Sequence, residues 1–488
     1  MLLAHVISAI AQRFPDRPAL VEPTGVTTYA ELAQRSAALT AGLYRLGVQR
    51  GAVVMVCLGN RREHLETLLA VAHLGAAALP VDPQATPAEM SDLVNRFQPA
   101  ALIAEEPPAD WPAERPCVAL TGPGVPYEQL VQTGGEWDGA PASDDPLFIM
   151  LSSGTTGKPK GAVVSHAAMA FRFLVQVVTF RFSAEDRYLN LMPLHTGGGR
   201  SFTLSHLYLG ATVWLLPRFD ARAADRLVRE EGITATCVVP TMLHRIVAAG
   251  GGPWPTMRVL ISSGAPLPAA DREAVLRQLT PNLYDYYASV ETGGVALLGP
   301  SEHGRKPGSV GRPIWGTEVQ LAGAARVGDV GEVWYRSPGM ISGYFGGEGR
   351  EAFQDGWYRT GDLGRFDEEG FLFLVGRSKE MIITGGVNVF PAEVEAALRE
   401  LPQIDDAAVV GVPDSEWGER VIAFVVLAPG GHLPPEELER TLRAQLAGPK
   451  RPKAVIALPT LPRNAGGKVD KAALRALLQR EAATSGGG

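Results

Sequence analysis

The sequence lacks most of what would mark a secreted, membrane-spanning or nucleic-acid-binding chain. Three of its 488 residues are cysteine: Cys57, Cys117 and Cys237. They are odd in number and far apart, with no CxxC pair and no Cys/His ligand cluster. Neither a disulfide framework nor a zinc site is indicated, and buried thiols in a reducing compartment are expected. No apolar run reaches ~18 residues, the length a spanning helix needs. The apolar opening MLLAHVISAIAQRF has no basic start and no small-residue cleavage site. Its Leu3, Val6, Ile10 and Phe14 fall at helical spacing, which predicts a packed first helix rather than a signal peptide. The expected location is cytoplasmic. Basic residues are also short, 45 against 52 acidic ones for a net charge of −7. A chain of that charge has no bulk attraction for nucleic acid, so any polyanion site must be local.

What is present is an ordinary globular balance, 46% apolar and 20% charged, on a chain long enough for about two to four domains at roughly 100–200 residues each. Helix and strand signals alternate through the first 300 residues. Residues 30–47 predict a helix with Leu32, Leu39, Leu43 and Leu46 on one face and Gly47 as its stop. VVMVCL at 53–58 predicts a buried strand, and 62–74 an amphipathic helix through Leu65, Leu68, Leu69 and Ala72. The alternation recurs at 147–152 and 166–178, at 212–216 and 221–231, and at 235–239 and 241–249. It predicts an α/β fold with largely parallel sheets. Residues 104–145 are rich in Pro, Gly and acidic residues and predict loops with one or two short elements. Near 310–375 short β runs take over, VGEVWYRS and GFLFLVG among them, and after Gly376 a compact α+β pattern begins. The expected division is a large multi-sheet N-terminal domain with a β-rich subdomain, residues 1–378, and a small mobile α+β C-terminal domain, residues 379–488, with a hinge near 377–380.

The densest chemical signal is LSSGTTGKPKG at 151–161. It follows the apolar run Leu147, Phe148, Ile149, Met150 and precedes the helix expected at 166–178. Gly154, Gly157 and Gly161 let backbone N–H groups approach phosphate oxygens closely. Ser152, Ser153, Thr155 and Thr156 supply O–H donors, and Lys158 and Lys160 supply charge against a triphosphate. The loop is not a Walker A motif, since GxxxxGK[ST] is not satisfied.

On this loop, and on further segments that follow in order, the chain resembles the adenylate-forming superfamily: acyl- and aryl-CoA synthetases, adenylation domains of nonribosomal peptide synthetases and firefly luciferases. The similarity covers essentially the whole chain and is greatest to carboxylate–CoA ligases. It implies that Ser152, Ser153, Gly154, Thr156, Gly157 and Lys160 hold ATP, with Thr155 among the catalytic residues. ISSGAPLP at 261–268 resembles the segment beside the adenine, where Gly264, Ala265 and Pro266 leave a flat backbone surface for a purine. DYYASVETGG at 285–294 resembles the aromatic-Gly-x-Thr-Glu motif. By that match Asp285, Tyr286, Tyr287, Ala288 and Ser289 border the nucleotide, Tyr287 stacks on adenine and Glu291 reaches magnesium. Ala288 stands where the family has glycine. Val290 stands where it has threonine, which removes a hydroxyl that normally faces a phosphate.

YRTGDLG at 358–364 matches the motif whose aspartate, here Asp362, accepts from both ribose hydroxyls. GRSKEMIITGGVNVFPAEVE at 376–395 places Arg377 at ribose or phosphate, Lys379 at the interdomain hinge, and Gly385 and Gly386 along the pantetheine arm of CoA. LPRNAGGKVDK at 461–471 matches the last signature, with Lys468 as the adenylation lysine.

MPLHTGGGRSF at 192–202 stands where related ligases have the mouth of the acyl tunnel. His195 matches a histidine common in aryl- and fatty-acyl-CoA ligases and is expected at the acyl pocket and in catalysis. Gly198, Gly199, Ser263 and Gly293 complete the expected pocket. Arg200 could meet a second carboxylate or face solvent. The aspartate that amino-acid-activating relatives carry here is missing, and Asp220 lies where CoA ligases have FD. The implied reaction joins a carboxylic acid (aromatic, fatty or polycyclic) to ATP as an acyl-adenylate and then to CoA, with ATP, Mg2+ and CoA as cofactors. One helix follows Lys471, so free CoA is expected rather than a fused carrier. A separate acyl carrier protein, or nucleotide binding without turnover, is the alternative. No nucleic acid or membrane span is expected, and the state is monomer or homodimer.

Overall fold

The computed structural model describes residues 2–133, 135, 137–152, 160–385, 387–414, 417–463 and 469–485. The chain forms two compact units, Met1–Val319 with Tyr335–Tyr358, and Gln320–Trp334 with Arg359–Gly488.

In the first unit, among the described residues, two large sheets carry the fold. The nine-stranded sheet has a parallel centre in the order Leu283–Ser289, Val259–Ser263, Ala235–Val238, Arg187–Asn190, Thr212–Leu215, Pro18–Glu22. Antiparallel strands close both edges. The eight-stranded sheet likewise has parallel strands at its centre, Ala77–Pro80, Val53–Cys57 and Ala101–Ala104, joined to Pro146–Ser152. The predicted α/β fold with largely parallel sheets is the one observed.

Side chains alternate across a strand, so each sheet feeds two cores. Val54, Val56 and Ile103 point into a core shared with Leu20, Val213, Val259 and Ile261 of the other sheet. Val53, Met55 and Leu102 point the other way, against Met90, Leu93 and Phe97 of the helix Pro87–Phe97. Leu189 and Leu260 pack outward on the helices Ala221–Glu230, Pro240–Ala248 and Ala269–Gln278. The shared core also holds apolar residues of Tyr29–Arg45, Arg62–Leu74, His166–Phe180 and Gly197–Leu209. These four helices form a middle layer.

That layer corrects one expectation. The helix Arg62–Leu74 has its predicted bounds, but eleven of its thirteen residues are buried, Glu63, His64 and Glu66 among them. It is sheathed on all sides rather than amphipathic. Its buried carboxylate Glu66 is paired: Arg35 Nε donates to Glu66 Oε1 at 2.6 Å and Tyr127 Oη to Glu66 Oε2 at 2.8 Å. The first helix, Leu3–Arg13, packs as predicted but on a face turned toward Ile7 and Ala11, leaving Phe14 beyond its end and exposed. Cys117 and Cys237 are buried and Cys57 only half so; all three are free.

The expected helix at 166–178 is present, and one further element precedes it after the loop at 151–161. That element is a strand, Lys160–Ser165, antiparallel to Pro146–Ser152 and paired with it from Ser152↔Lys160 onward. The β-branched run in KGAVVS explains it. The helix His166–Phe180 begins after this strand, capped by Ser165.

The second unit contains an antiparallel pair, Ile404–Asp414 with Gly418–Leu427, to which Ala454–Ala457 adds in parallel. Ala407 and Val409 face the helices Pro391–Arg399 and Pro435–Gln445. Ala408 and Val410 face Leu474 of the helix Lys471–Ser485. The α+β reading of this region agrees with the elements found.

Glu66 is fully buried at its side chain and Glu128, the other partner of Arg35, is 48% exposed. Glu66→Ala should destabilise the first unit by about 3–5 kcal/mol, because it strands a guanidinium and a tyrosine hydroxyl. Glu128→Ala should cost under about 1 kcal/mol. Denaturant titration of both variants checks the contrast; equal losses would contradict it.

Candidate functional site

Parallel strands leave their carboxyl ends on one edge, and loops that leave such an edge form the usual ligand crevice of an α/β sheet. In the nine-stranded sheet the aligned pairs Asn190↔Cys237, Val238↔Ser262 and Ser263↔Tyr286 bring three predicted segments together there. They are the loop after Asn190 that carries His195, the turn after Ser263 that carries Gly264, Ala265 and Pro266, and the turn after Ser289 that carries Val290 and Glu291. In the eight-stranded sheet Ser152, Asp82 and Cys57 lie at or just past the matching ends. His195 Nε2 stands 3.8 Å from Asp82 Oδ2, so loops from the two sheets meet.

Glu291 is the best-defined of the predicted ligands. Tyr344 Oη donates to its Oε1 at 3.1 Å and lies 3.0 Å from Tyr358 Oη. Burial, with the Glu291 charge added, pushes the Tyr344 phenol well above its ordinary pKa, so it remains an O–H donor. Lys160 Nζ sits 5.3 Å from the Tyr344 ring centroid, near enough for a cation–π contact. Tyr344 thus joins the base of the 151–161 loop to Glu291. The turn itself is locked by reciprocal bonds: Thr292 N–H donates to Ser289 Oγ at 3.1 Å and Ser289 N–H to Thr292 Oγ1 at 3.2 Å.

Magnesium takes oxygen ligands, characteristically one or two carboxylates with the rest from phosphate and water. Glu291 offers one carboxylate with a single hydrogen bond on it among the described residues. Among those residues no group of three or more His, Cys, Asp or Glu could hold a metal alone. The donor set fits an ion shared with a nucleotide.

The other predicted residues divide by what their side chains do. Tyr287 and Ala288 are half-buried, whereas Tyr286 is buried against Phe180 and Phe202. Asp285 is bound to Arg272 at 2.9 Å. Ser263 Oγ donates to the Tyr286 carbonyl at 2.8 Å. Gly264, Ala265 and Pro266 are exposed. Gly198 and Gly199 open the helix Gly197–Leu209, and a Cβ on Gly199 would lie 2.3 Å from the Pro193 carbonyl oxygen. Gly293 has φ +71° and packs on Arg172. Burial lowers the His195 pKa against the pull of Asp82, and Arg200 lowers it further, so the ring is neutral at pH 7. Arg200 does neither of the things expected of it. It is 1% exposed and donates to the Leu194 and His195 carbonyls. Asp220 caps the helix Ala221–Glu230 through Ala223 N–H.

In the second unit Asp362 and Arg377 are cross-strand partners, with Arg377 Nε donating to Asp362 Oδ1 at 2.9 Å. Lys379 lies in the turn Ser378–Glu380 directly after. Gly385 has φ +55°, and a Cβ there would come within 2.7 Å of the Trp417 ring, so glycine is required. Ser153, Gly154, Thr155, Thr156, Gly157, Gly386 and Lys468 lie outside the described residues.

Tyr344, Tyr358, Asp82 and Arg172 were not legible as site residues. Tyr344, Asp82 and Arg172 stand far along the chain from the groups they contact, and Tyr358 opens the YRTGDLG segment, whose aspartate drew the reading instead.

Residues 7–345 match the model of the AMP-binding enzymes, and residues 393–468 that of the AMP-binding enzyme C-terminal domain. The chain is 35% identical to an indoleacetate–CoA ligase of Aromatoleum aromaticum, over 99% of each chain. It is 34% identical to a feruloyl-CoA synthase of an Amycolatopsis species, over 92% of this chain and 93% of that one. Among solved structures it is similar to the o-succinylbenzoate CoA synthetase of Bacillus subtilis in complex with its acyl-adenylate intermediate, with a TM-score of 0.87, 27% identity and 97% of each chain covered. The same synthetase in complex with ATP and magnesium gives a TM-score of 0.85 at 27% identity, covering 95% of this chain and 98% of that one. The motifs in their order, the crevice they form and these similarities together establish that the chain belongs to the AMP-binding enzyme family.

Proposed function

We propose that this chain is an ATP-dependent acid–thiol ligase that adenylates an aromatic carboxylic acid and transfers the acyl group to CoA. The observation that carries the reading is the Glu291–Tyr344–Lys160 cluster, which sets a carboxylate and a cation beside the 151–161 loop. The acid class follows from the relatives, which are ligases of indoleacetate, ferulate and succinylbenzoate. Among the described residues no helix is long and apolar enough to cross a membrane. Two cosubstrates of cytoplasmic metabolism, ATP and CoA, suit the location expected from the sequence.

The acid is already ionised at neutral pH, with a pKa near ~4, so no base is needed to activate it. The obstacle is bringing one anion onto another. A carboxylate oxygen attacks the α-phosphorus, an O–P bond forms, the bond to the β-phosphate oxygen breaks and pyrophosphate leaves. Catalysis is then alignment and charge neutralisation. Ser152, Ser153, Gly154, Thr155, Thr156, Gly157 and Lys160 hold the leaving pyrophosphate, and Lys468 bridges carboxylate and α-phosphate. Tyr287 stacks on adenine beside Gly264, Ala265 and Pro266, and Asp362 accepts from the ribose with Arg377 beside it. Glu291 holds magnesium, which supplies charge screening for the phosphates when bound. His195, neutral and half-buried, borders the acyl group with Gly198, Gly199, Ser263 and Gly293.

In the second half-reaction the CoA sulfur attacks the acyl carbon and AMP leaves with the C–O bond electrons. Lys468 has no task there. We assign the hinge to Lys379 and the pantetheine path to Gly385 and Gly386, with motion of residues 379–488 exchanging the two.

Three outcomes test this. Lys468→Ala should lose acid-dependent pyrophosphate exchange by about 10²–10³-fold while still converting a preformed acyl-adenylate and CoA to thioester. Equal loss of both halves would refute the exchange of roles. Val290 Cγ2 lies 3.8 Å from where a Cβ of Gly197 would stand. Val290→Thr keeps this shape and adds a hydroxyl, so pyrophosphate exchange should stay level or rise; a loss beyond about tenfold, more than one hydrogen bond's typical worth, would count against the phosphate-facing role of that position. Across a panel of aromatic, medium-chain, long-chain and polycyclic acids, CoA-dependent AMP release should be fastest with aromatic acids. Faster release with fatty acids would overturn the substrate class, and release with a holo-carrier protein but not CoA would overturn the acceptor.

A further inference from the structure

Two arginines of the middle layer are buried with no carboxylate in salt-bridge contact among the described residues; the Glu291 charge reaches Arg172 from further off, and Arg200 lies 4.7 Å from the Phe148 ring centroid. Arg172, on the helix His166–Phe180, is 7% exposed, and Arg200, on Gly197–Leu209, is 1% exposed. Burial lowers the pKa of both, that of Arg200 to about 9 with the neighbouring charge of Arg172 adding to the effect. Arg200 Nε has no partner. An unpaired guanidinium in a core is costly, and an apolar side chain of the same length would serve packing better. Packing alone therefore does not account for the pair.

Their hydrogen bonds do. Arg200 Nη1 donates to Leu194 O at 3.1 Å and His195 O at 3.0 Å. Arg172 Nη2 donates to Val290 O at 3.1 Å and Glu291 O at 3.2 Å, while its Nε donates to Gly339 O at 2.6 Å. Each guanidinium grips the main chain of one functional residue, using a rigid fork that lysine lacks. Asn60, also buried, holds the His195 loop from its other side, with Leu194 N–H donating to its Oδ1 at 2.8 Å. Ile341 N–H donates to Glu291 O at 2.9 Å, so Arg172 ties three segments into one turn.

We infer that Arg172 and Arg200 are positioning residues that fasten the Glu291 turn and the His195 loop, respectively, to the middle-layer helices. The inference rests on the function proposed above for Glu291 and His195.

The test is amide hydrogen exchange on the ligand-free full chain, with kinetics beside it. Arg200→Met should speed exchange at the Leu194 and Thr196 amides by about tenfold or more and leave Thr292 and Ile341 unchanged. Arg172→Met should do the reverse. In pyrophosphate exchange, Arg200→Met should raise the KM for the acid, and Arg172→Met should raise the magnesium requirement. If either methionine variant does not fold, Arg200→Lys and Arg172→Lys are to show the same two local changes at smaller size. Unchanged loop amides, or a uniform rise across the first unit, would overturn the inference. Glu291→Gln separates the two failures. If it leaves pyrophosphate exchange intact, the reading of the site falls, while the amide pattern still decides whether the arginines fasten the loops.

Discussion

The middle layer of helices is the constraint on which the rest depends. Two parallel sheets share it, and neither sheet exposes that face to water. A helix enclosed on every side cannot send its polar side chains to solvent, so each must find a partner inside or bear the desolvation. Glu66 finds Arg35 and Tyr127. His64 finds the Leu58 carbonyl at 2.9 Å, and burial lowers its pKa to about 3, which keeps it neutral. Arg172 and Arg200 find loop carbonyls. The same burial that makes these groups expensive makes their bonds rigid, since water cannot compete for them. Rigidity in the layer becomes rigidity in the loops that leave the strand ends.

Position then follows from topology. Parallel strands align their carboxyl ends along one edge, so residues distant in the chain, such as His195 and Glu291, are brought to it without any local device. Two long-range links join segments of the two sheets there: Tyr344 to Glu291, and His195 beside Asp82. Both are polar contacts between loops, which lets loop sequence change without disturbing the sheets.

Much of this was legible from residues alone, for identifiable reasons. A short unbroken apolar run placed the strand Val53–Cys57 and a 3.6-residue pattern the helix Arg62–Leu74 to within a residue, because core packing dictates both. Glu291, Asp362 and Lys379 stood out only through motifs that resemble a family's, and the structure adds Tyr344 beside the first and Arg377 beside the second. Exposure around the helix Arg62–Leu74 was misjudged because Glu63 and Glu66 look like a solvent face, and the partner that satisfies Glu66 is 31 residues away at Arg35. Arg200 was ambiguous for the same reason: a guanidinium that bonds backbone carbonyls leaves no complementary acid in the sequence to betray it. Tyr344 stands in SGYFGG, whose glycines announce a turn but not the carboxylate 53 residues earlier that it contacts.

Under the proposed function, the strand after the 151–161 loop changes the physics of phosphate binding there. Had a helix followed directly, its N-terminal N–H groups and dipole would share the charge of the phosphates. The helix His166–Phe180 instead starts at the far end of Lys160–Ser165, roughly 17 Å on at about 3.4 Å per residue, and a helix dipole is felt mainly within its first turn. The grip must come from the loop's own groups: backbone N–H freed by glycine, the serine and threonine hydroxyls, and the lysines. Lys160 is held for that purpose between the Tyr344 ring and Glu351, 3.5 Å from the latter. Glu351 is 78% exposed, so this ion pair is weak and can yield its lysine to a stronger anion. On the same reading, position 290 itself offers no hydroxyl to the phosphates, and the 151–161 loop carries that much more of the leaving group's charge.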